Sequence, residues 1–394
     1  MPRINKRTVI RLVIVGISLF LCVSLLAFTS RTAAAVLPGY VPHWEDMNPS
    51  TEPSPRISSP VSYDSTADRV ILFSGWFQPG GGITATNDTW VYNYNTNEWT
   101  NRSPSTQPPR RAGHGLVYDN ESDRTILFSG WESGSGGTLV HWVDTWAYDY
   151  SSNTWTNMSP VVTPPGKLTP SMAYDSESDR VILFGGLDDG AIYSGDTWAY
   201  DFNTNNWTLM SPSTHPADRF DAPMTYDSES DRVIMIGGWN AGGFIDDVWA
   251  YDFNTDTWTL VDPSIEPSAI GALTYDSASD RVIAFGGSED FAETILSQET
   301  WLYDFDTNTW TQMLPSISPP ARARPYLAYD SESNVTILFG GKGSNGFETA
   351  MGDTWAYYYV RIDGGFDGRI YLVIAAVVIA IVVIVVVVWY RRRG

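Results

Sequence analysis

Short runs of apolar and aromatic residues, each bounded by Gly, Asp or Asn, fill the middle of the chain. Between Tyr174 and Ser211 there are three of them, Val181 to Phe184, Thr197 to Tyr200 and Trp207 to Met210. Runs of this length between turn-forming residues predict strand, turn, strand, turn, strand. The first run is apolar without alternation, which predicts a strand covered on both faces. One such unit cannot bury its own faces, so we expect further copies beside it.

The same pattern occurs six times along the chain. Its opening Tyr-Asp recurs at Tyr63, Tyr118, Tyr174, Tyr226, Tyr275 and Tyr329. The tryptophan of the third predicted strand recurs at Trp90, Trp146, Trp198, Trp249, Trp301 and Trp355. A spacing of about 50 residues with several strands in each copy predicts propeller blades rather than a solenoid.

Two further motifs recur with the copies. An apolar run ends in Gly-Gly, as at Gly185-Gly186, and the first two copies have Ser-Gly there, at Ser74 and Ser129. A tyrosine is followed seven residues later by tryptophan, as in Tyr200 and Trp207. With these motifs the chain resembles the kelch-repeat family over roughly residues 40 to 360. The resemblance implies four-stranded blades packed around a central channel.

The sixth copy ends after its third strand, at Ala356 to Val360. A matching segment stands at the other end of the chain, where His43 to Ser50 aligns with Asn206 to Ser213. We expect this N-terminal strand to complete the last blade, because a closed ring has no open edge that invites aggregation. The predicted fold is all-β, a six-bladed kelch-type β-propeller closed by the N-terminal strand, with one C-terminal transmembrane helix.

Apolar segments at the two ends predict export and anchoring. Residues 1–35 combine a basic start, an apolar run and small residues, which is typical of a signal peptide; an uncleaved signal anchor is the alternative. Residues 370–390 are apolar and long enough to cross a bilayer as a helix. The basic tail, residues 391–394, then lies inside the cell. The propeller, residues 36–360, and a short stalk, residues 361–369, are expected outside a cell membrane that the chain crosses once.

Charge and composition exclude several kinds of site. The formal net charge is −21 at pH 7, and every Asp and Glu lies within residues 36–368, so we expect no binding to nucleic acid. The single cysteine, Cys22, lies in the predicted signal segment. No metal or cofactor is expected, because no metal-ligand spacing connects the four histidines, His43, His114, His141 and His215.

A basic residue stands seven positions before the repeat tyrosine in five of the six copies. These residues are Arg56, Arg111, Lys167, Arg219 and Arg322, and the fifth copy has Ser268. We expect them where the inner strands begin, at the mouth of the channel. A ring of cations in an acidic domain would suit carboxylate, sulfate or phosphate groups. The alternative is that each cation pairs with an acid of a neighbouring blade, as similar arginines of kelch repeats often do.

Aromatic side chains are expected near the same face. Trp76, Trp131 and Trp239 directly follow the glycines, and Trp142 and Tyr193 lie in the loops beyond. Such side chains stack on sugar rings and anchor protein interfaces; the alternative is that they cover the core. The loops after Gly-Gly also vary most among the copies, which is usual for recognition loops on a rigid scaffold.

No focused set of catalytic residues stands out in this sequence. It therefore predicts a membrane-anchored recognition module that engages an extracellular protein or glycan through the face carrying the variable loops and the links between blades. The alternatives are an enzyme acting on acidic sugars at the channel mouth, with His114 or a carboxylate, and a structural protein of the cell envelope. Glycosylation sequons, which suit an exported protein, occur at Asn87, Asn101, Asn120, Asn157, Asn206 and Asn334.

Overall fold

The computed structural model describes residues 40–77, 84–133, 139–188, 190, 192–344 and 349–361. Pro42 to Tyr358 belong to one compact unit, and the strand ends outside that range belong to a second, smaller unit. The predicted signal segment, residues 1–35, and the predicted membrane span, residues 370–390, lie outside the described residues. Among the residues that are described, no helix is long and apolar enough to cross a bilayer.

The strands follow the predicted copies. A first strand, β1 (Tyr40–Asp46), precedes them. The first copy contains β2 (Val61–Asp64), β3 (Arg69–Phe73), β4 (Trp76–Phe77), β5 (Thr84–Ala85), β6 (Thr89–Asn93) and β7 (Glu98–Asn101). The second contains β8 (Gly115–Asp119), β9 (Arg124–Phe128), β10 (Trp131–Ser133), β11 (Leu139–His141), β12 (Thr145–Asp149) and β13 (Thr154–Asn157). The third contains β14 (Lys167–Leu168), β15 (Ser171–Asp175), β16 (Arg180–Phe184), β17 (Leu187–Asp188), β18 (Ile192–Tyr193), β19 (Thr197–Asp201) and β20 (Asn206–Leu209).

The remaining copies repeat this order, and the described residues of the fifth and sixth form no such short strands. The fourth contains β21 (Met224–Asp227), β22 (Arg232–Ile236), β23 (Trp239–Asn240), β24 (Gly243–Phe244), β25 (Val248–Asp252) and β26 (Thr257–Val261). The fifth contains β27 (Ala272–Asp276), β28 (Arg281–Phe285), β29 (Thr300–Asp304) and β30 (Thr309–Met313). The sixth contains β31 (Tyr326–Asp330), β32 (Val335–Phe339) and β33 (Thr354–Arg361).

Six four-stranded antiparallel sheets contain most of the strands in the described part of the chain. Five of them take all four strands from one copy, as in the order β15, β16, β19, β20 of the third copy. The sixth sheet has the order β31, β32, β33, β1. The N-terminal strand therefore supplies the fourth strand that the last copy lacks, as predicted from the alignment of His43 to Ser50 with Asn206 to Ser213.

The second strand of each sheet is buried on both faces, as its unbroken apolar pattern predicts. In β16, Ile182 and Phe184 pack into a cluster with side chains of the fourth copy. Val181 and Leu183 point the other way and pack into a cluster with side chains of the second copy. Successive side chains of a strand alternate between the faces of its sheet, so this one strand connects both neighbouring sheets.

The inner strands close a circle. They pack side by side in chain order, and β31 of the last sheet lies against β2 of the first. Backbone bonds join the same neighbours: Gly186 donates to the carbonyl of Arg219 at 2.9 Å, and Gly341 donates to the carbonyl of Arg56 at 3.2 Å. Gly186 has a φ of 99°, which glycine adopts without a steric penalty. In five of the six copies, all but the fourth, the second residue of this motif donates such a bond to the next copy.

The connections between strands lie on two opposite faces. Short turns join the first two strands and the last two strands of a sheet at the same end, where Asp175 is opposite Arg180 and Asp201 is opposite Asn206. We call this end the hairpin face. At the other end Ser171 is opposite Phe184, and the glycines, the longer loops and the links between copies follow there. We call this end the Gly-Gly face.

Candidate functional site

The predicted cations are buried, and each pairs with a carboxylate. Arg322 Nη1 and Nη2 each lie 2.7 Å from an oxygen of Asp353, and Nη1 and Nε donate to the carbonyls of Gly340 and Pro320. Equivalent bidentate ion pairs join Arg56 to Asp88, Arg111 to Asp144 and Arg219 to Asp247. Lys167 Nζ lies 2.7 Å from Asp188, and Ser268, in the fifth copy, donates to Glu289.

Each partner acid belongs to the same copy as its cation and not to a neighbouring blade. In the four Arg–Asp pairs the acid stands just before the third strand, where an indole also donates to it, as Trp355 does to Asp353 at 2.7 Å. Burial acts to raise the pKa of Asp353, but the hydrogen bonds and charge of Arg322 outweigh it and hold that pKa below its usual value. Anion binding by the cations stays a prediction, and this geometry favours a structural role.

The inner strands enclose a space, and we call its end on the Gly-Gly face the mouth. A second ring of residues, two positions after the cations in the sequence, lies at this mouth. Its members differ from copy to copy and are Ser58, Gly113, Thr169, Asp221, Ile270 and Arg324. All but Ile270 have a φ between 44° and 58°, a left-handed conformation that is strained for most side chains. Backbone bonds run from Gly113 to Ser58, from Thr169 to Gly113 and from Asp221 to Thr169. The fold thus fixes the backbone at the first four of these positions, while their side chains differ.

Charged side chains from three copies meet at the mouth. Arg324 Nε lies 2.5 Å from Glu293 Oε1 and 3.5 Å from Asp221 Oδ2. Lys342 Nζ lies 2.5 Å from Glu293 Oε2. Burial raises the pKa of Asp221, while the charge of Arg324 acts in the opposite direction. Among the described residues, the cluster therefore pairs two cations with two carboxylates.

A loop of the fifth copy carries Glu293 to the mouth. The Asp290 carboxylate holds this loop by accepting hydrogen bonds from the backbone of Ile295 and from the backbone and hydroxyl of Thr294. These bonds lower the pKa of Asp290 to about 2. Between the anchoring residues, Glu293 turns inward with a φ of 55°, and Phe291 stays 66% exposed. The loop therefore contributes both a charge and an apolar surface.

A cavity of about 130 Å³ lies beneath the charged cluster and is lined by residues from all six copies. His114, Thr169, Asp221 and Arg324 are among its polar lining residues, and deeper apolar ones include Met172. A second cavity, of about 310 Å³, lies toward the hairpin face and is lined by the six repeat tyrosines.

The predicted aromatic residues form separate groups on the Gly-Gly face. Trp76 and Trp131 contact each other with ring centroids 4.6 Å apart. Trp142 covers the guanidinium of Arg111, whose Cζ is 5.2 Å from the ring centre. Trp76 and Trp131 also pack with Ile57, Ala112 and Ala350, the last of which belongs to the sixth copy.

The other group adjoins the mouth. Trp239 contacts Phe291 at 5.6 Å, and Phe220 contacts both Phe291 and Tyr193, at 6.5 and 5.8 Å. A narrow groove connects this aromatic group with the charged cluster. Phe220, Trp239 and Phe291 line it together with Asp221, Glu293 and Arg324. Aromatic side chains beside a charged site are the usual anchors of protein interfaces.

The sequons are accessible in most cases. Asn206 is partly buried, and the exposed ones are Asn87, Asn101, Asn120, Asn157 and Asn334. Their glycosylation stays a prediction.

Comparison with known proteins shows the family. The KLHDC2/KLHL20/DRC7 Kelch-repeats domain matches residues 59–287 and again residues 216–361. The chain belongs to the kelch-repeat family. Among its relatives are the dynein alpha chain of the flagellar outer arm from Chlamydomonas reinhardtii, 27% identical over 232 residues, and multiple epidermal growth factor-like domains protein 8 from Mus musculus, 26% identical over 239 residues. The matches cover 55% and 58% of this chain but only 5% and 8% of those proteins.

Membership in the kelch-repeat family explains the β-propeller architecture but not the residues at its mouth. Asp221, Glu293, Arg324 and Lys342 were not predicted as site residues. One signal in the sequence could have found two of them, because the second position after each repeat cation holds a different side chain in every copy. A position whose backbone conformation repeats while its side chain differs from copy to copy is typical of a recognition surface. Glu293 lies in a loop without a repeated pattern, so no such signal marks it.

Proposed function

We propose that this chain is a recognition module that binds a partner protein on its Gly-Gly face, centred on the mouth. The observation that carries the proposal is the position of Arg324, which belongs to the charged cluster, lines the cavity and also lines the groove beside the exposed ring of Phe291. Kelch repeats generally mediate binding between proteins.

The distribution of exposed apolar side chains supports the same face. Phe291, Ile295 and Ile192 are exposed in loops that follow the glycines. Large exposed apolar side chains in one region mark an interaction surface more often than isolated ones do. The hairpin face, by contrast, consists of short turns rich in Asp, Asn, Ser and Thr.

We also propose that the six sheets are the blades of one six-bladed propeller held outside a cell membrane by residues 370–390. The signal-like residues 1–35 and the basic tail support this orientation. β33 runs toward the hairpin face, because Thr354 is opposite Phe339 and Tyr357 is opposite Thr336. The Gly-Gly face would then point away from the membrane and toward a partner.

Site-specific photo-crosslinking in the source cells tests the binding face. The full chain carries p-benzoylphenylalanine either at Phe291, on the Gly-Gly face, or at Thr204, an exposed residue of a hairpin turn. We expect a protein adduct from position 291 and none from position 204. Arg324→Ala should weaken the adduct, whereas Arg110→Ala, which removes a 60% exposed arginine of the same face, should not. Adducts from position 204 alone, or equal adducts in all variants, would show that the proposed face is wrong.

Cysteine labelling tests the location. A cysteine that replaces Ala241, an exposed residue of the Gly-Gly face, and another added after Gly394 are treated with a membrane-impermeant maleimide on intact cells, in a chain with Cys22→Ala. Labelling at position 241 and protection at the C-terminus are expected. Protection of both sites would contradict an external propeller.

A further inference from the structure

The cavity beneath the mouth has the size of a site for one side chain. Its volume of about 130 Å³ is several times what one water molecule needs, but it is well below the roughly 300–1,000 Å³ typical of pockets for drug-sized ligands. Its walls below the polar rim are apolar, with Leu116, Met172 and Met224 among the lining residues. A short aliphatic stem with a polar end matches this lining.

Two buried polar side chains in the cavity have no hydrogen-bond partner in the described structure. His114 is 3% exposed, and neither ring nitrogen is bonded; Thr169 is 6% exposed, and its hydroxyl is not bonded. Burial and the charge of Arg111 lower the pKa of His114 well below its usual value, so the ring is neutral at physiological pH. A buried polar group that is left unbonded costs about 1–3 kcal/mol. Because both residues also line the cavity, a ligand bound there would supply the missing hydrogen bonds.

Their hydrogen-bonding capacity restricts what that ligand can be. A neutral imidazole has one donor and one acceptor, and a hydroxyl also has both. A carboxylate only accepts and an ammonium only donates, so each would leave part of this pair unsatisfied. Among the described residues, the two cations of the rim, Arg324 and Lys342, pair with two carboxylates, Asp221 and Glu293, so these four side chains do not favour a charged group either. A carboxamide, which is uncharged and has both donors and an acceptor, satisfies these conditions.

We propose that the cavity binds the carboxamide of an Asn or Gln side chain of the partner protein, with His114 and Thr169 bonding the amide and Met172 and Met224 surrounding its stem. This inference rests on the proposed function and specifies the group that the mouth recognises.

Titration with blocked amino acids tests it directly. The full chain in detergent, labelled with ¹³C in its four histidines, is titrated with N-acetyl-glutamine methylamide, and the ring signals of His114 are followed by NMR. The equivalent glutamate, lysine and norleucine compounds and N-acetylglucosamine serve as competitors of different chemistry. We expect the glutamine compound to shift the His114 signals and to bind at least about tenfold more tightly than the others. Leaving one buried polar group without a hydrogen bond lowers the affinity by roughly that factor.

Conservative variants locate the binding. Thr169→Val and His114→Phe keep the shape of each side chain and remove its polar atoms, and each should weaken the glutamine compound by about tenfold. Thr336→Val is the matched control, because that hydroxyl is also buried and unbonded but does not line the cavity. Equal binding of the glutamate or lysine compound, preference for the sugar, or no effect of Thr169→Val would overturn the inference. If the compound fails to bind while Arg324-dependent crosslinking at position 291 persists, the proposed function stands and only the carboxamide is wrong.

Discussion

Trp44 donates a hydrogen bond from Nε1 to Thr300 Oγ1, 2.9 Å away, although 256 residues separate them. Its ring also lies 5.0 Å from that of Tyr357 and 5.1 Å from that of Phe285. Trp44 belongs to the N-terminal strand, which completes the sixth sheet, and Thr300 begins the third strand of the fifth. One side chain from the start of the chain thus ties together its last two sheets.

The same bond recurs around the molecule. In each case the tryptophan of an outer strand donates to the threonine that begins the third strand of the preceding sheet. Trp99 donates to Thr354 in this way, which joins the first sheet to the last. The other pairs are Trp155 with Thr89, Trp207 with Thr145 and Trp258 with Thr197.

Loss of Trp44 should therefore weaken the whole propeller and not only its N-terminal strand. We expect Trp44→Ala to lower the free energy of unfolding by about 3–5 kcal/mol, as for other buried aromatic residues, and Thr300→Val by about 1 kcal/mol. Deletion of residues 40–50 should cost more than either. Denaturant unfolding of the full chain, followed by tryptophan fluorescence, measures these changes. A Trp44→Ala protein as stable as wild type would mean that the sixth sheet does not need its fourth strand.

One position in this set lacks its partner. The fourth copy has Val248 where the others have threonine. Trp310 Nε1, which would donate to a threonine there, is buried and has no hydrogen bond in the described part of the chain. Valine and threonine have nearly the same shape, so Val248→Thr supplies an acceptor without overpacking the site. We expect this substitution to stabilise the chain by about 0.5–1.5 kcal/mol. In a Trp310→Phe background, Val248→Thr should give no such gain. Equal gains in the wild-type and Trp310→Phe backgrounds would contradict the predicted hydrogen bond.

The repeated residues explain why most of the fold could be predicted from the sequence. The tyrosine, tryptophan and glycine motifs occur at one spacing, so each local pattern supports the same strand order in every copy. The pairing of β1 with the last copy followed because His43 to Ser50 repeats an outer-strand motif. Local propensity and the global arrangement agree here, as expected for a chain with one favoured structure.

The site could be predicted only in part, because it depends on what is not repeated. Arg56 and Asp88 are 32 residues apart, and an acidic chain offers many other carboxylates as partners. The sequence therefore did not show which acid pairs with each cation. Asp221 and Arg324 occupy equivalent positions with opposite charges, and their proximity depends on the curvature of the whole ring. Glu293 reaches them from a loop whose path is set by Asp290, not by a repeated motif.

The clamp between Arg322 and Asp353 should be a determinant of stability. Arg322→Met removes the buried cation and leaves the Asp353 carboxylate with Trp355 as its one side-chain donor among the described residues, so we expect a loss of about 3–5 kcal/mol. Arg110→Met, at an exposed arginine of the same face, should change stability by less than about 0.5 kcal/mol. Denaturant unfolding compares the two variants. A stable Arg322→Met protein that has lost binding of acidic glycans would instead support the ring of cations as an anion site.

The six repeat tyrosines should make the propeller sensitive to alkali. Each donates its hydroxyl to an acidic or amide side chain five residues later, as Tyr226 does to Asp231 at 3.0 Å. Burial and the nearby carboxylates raise the pKa of all six hydroxyls, those of Tyr63, Tyr118, Tyr174, Tyr226, Tyr275 and Tyr329. In the unfolded chain tyrosine ionises near its usual value of about 10.

The direction of the pH effect follows from that difference. Because the folded pKa is the higher one, the stabilisation is complete below about pH 10 and decreases as the pH rises beyond it, when the unfolded chain loses these protons first. We expect the free energy of unfolding to fall steeply above about pH 10, together with the appearance of tyrosinate absorbance. Tyr226→Phe should be less stable than wild type at pH 7 by about 1 kcal/mol, yet lose stability more slowly above pH 10. Parallel stability curves for the two proteins between pH 8 and 11 would show that this tyrosine does not contribute to the alkaline transition.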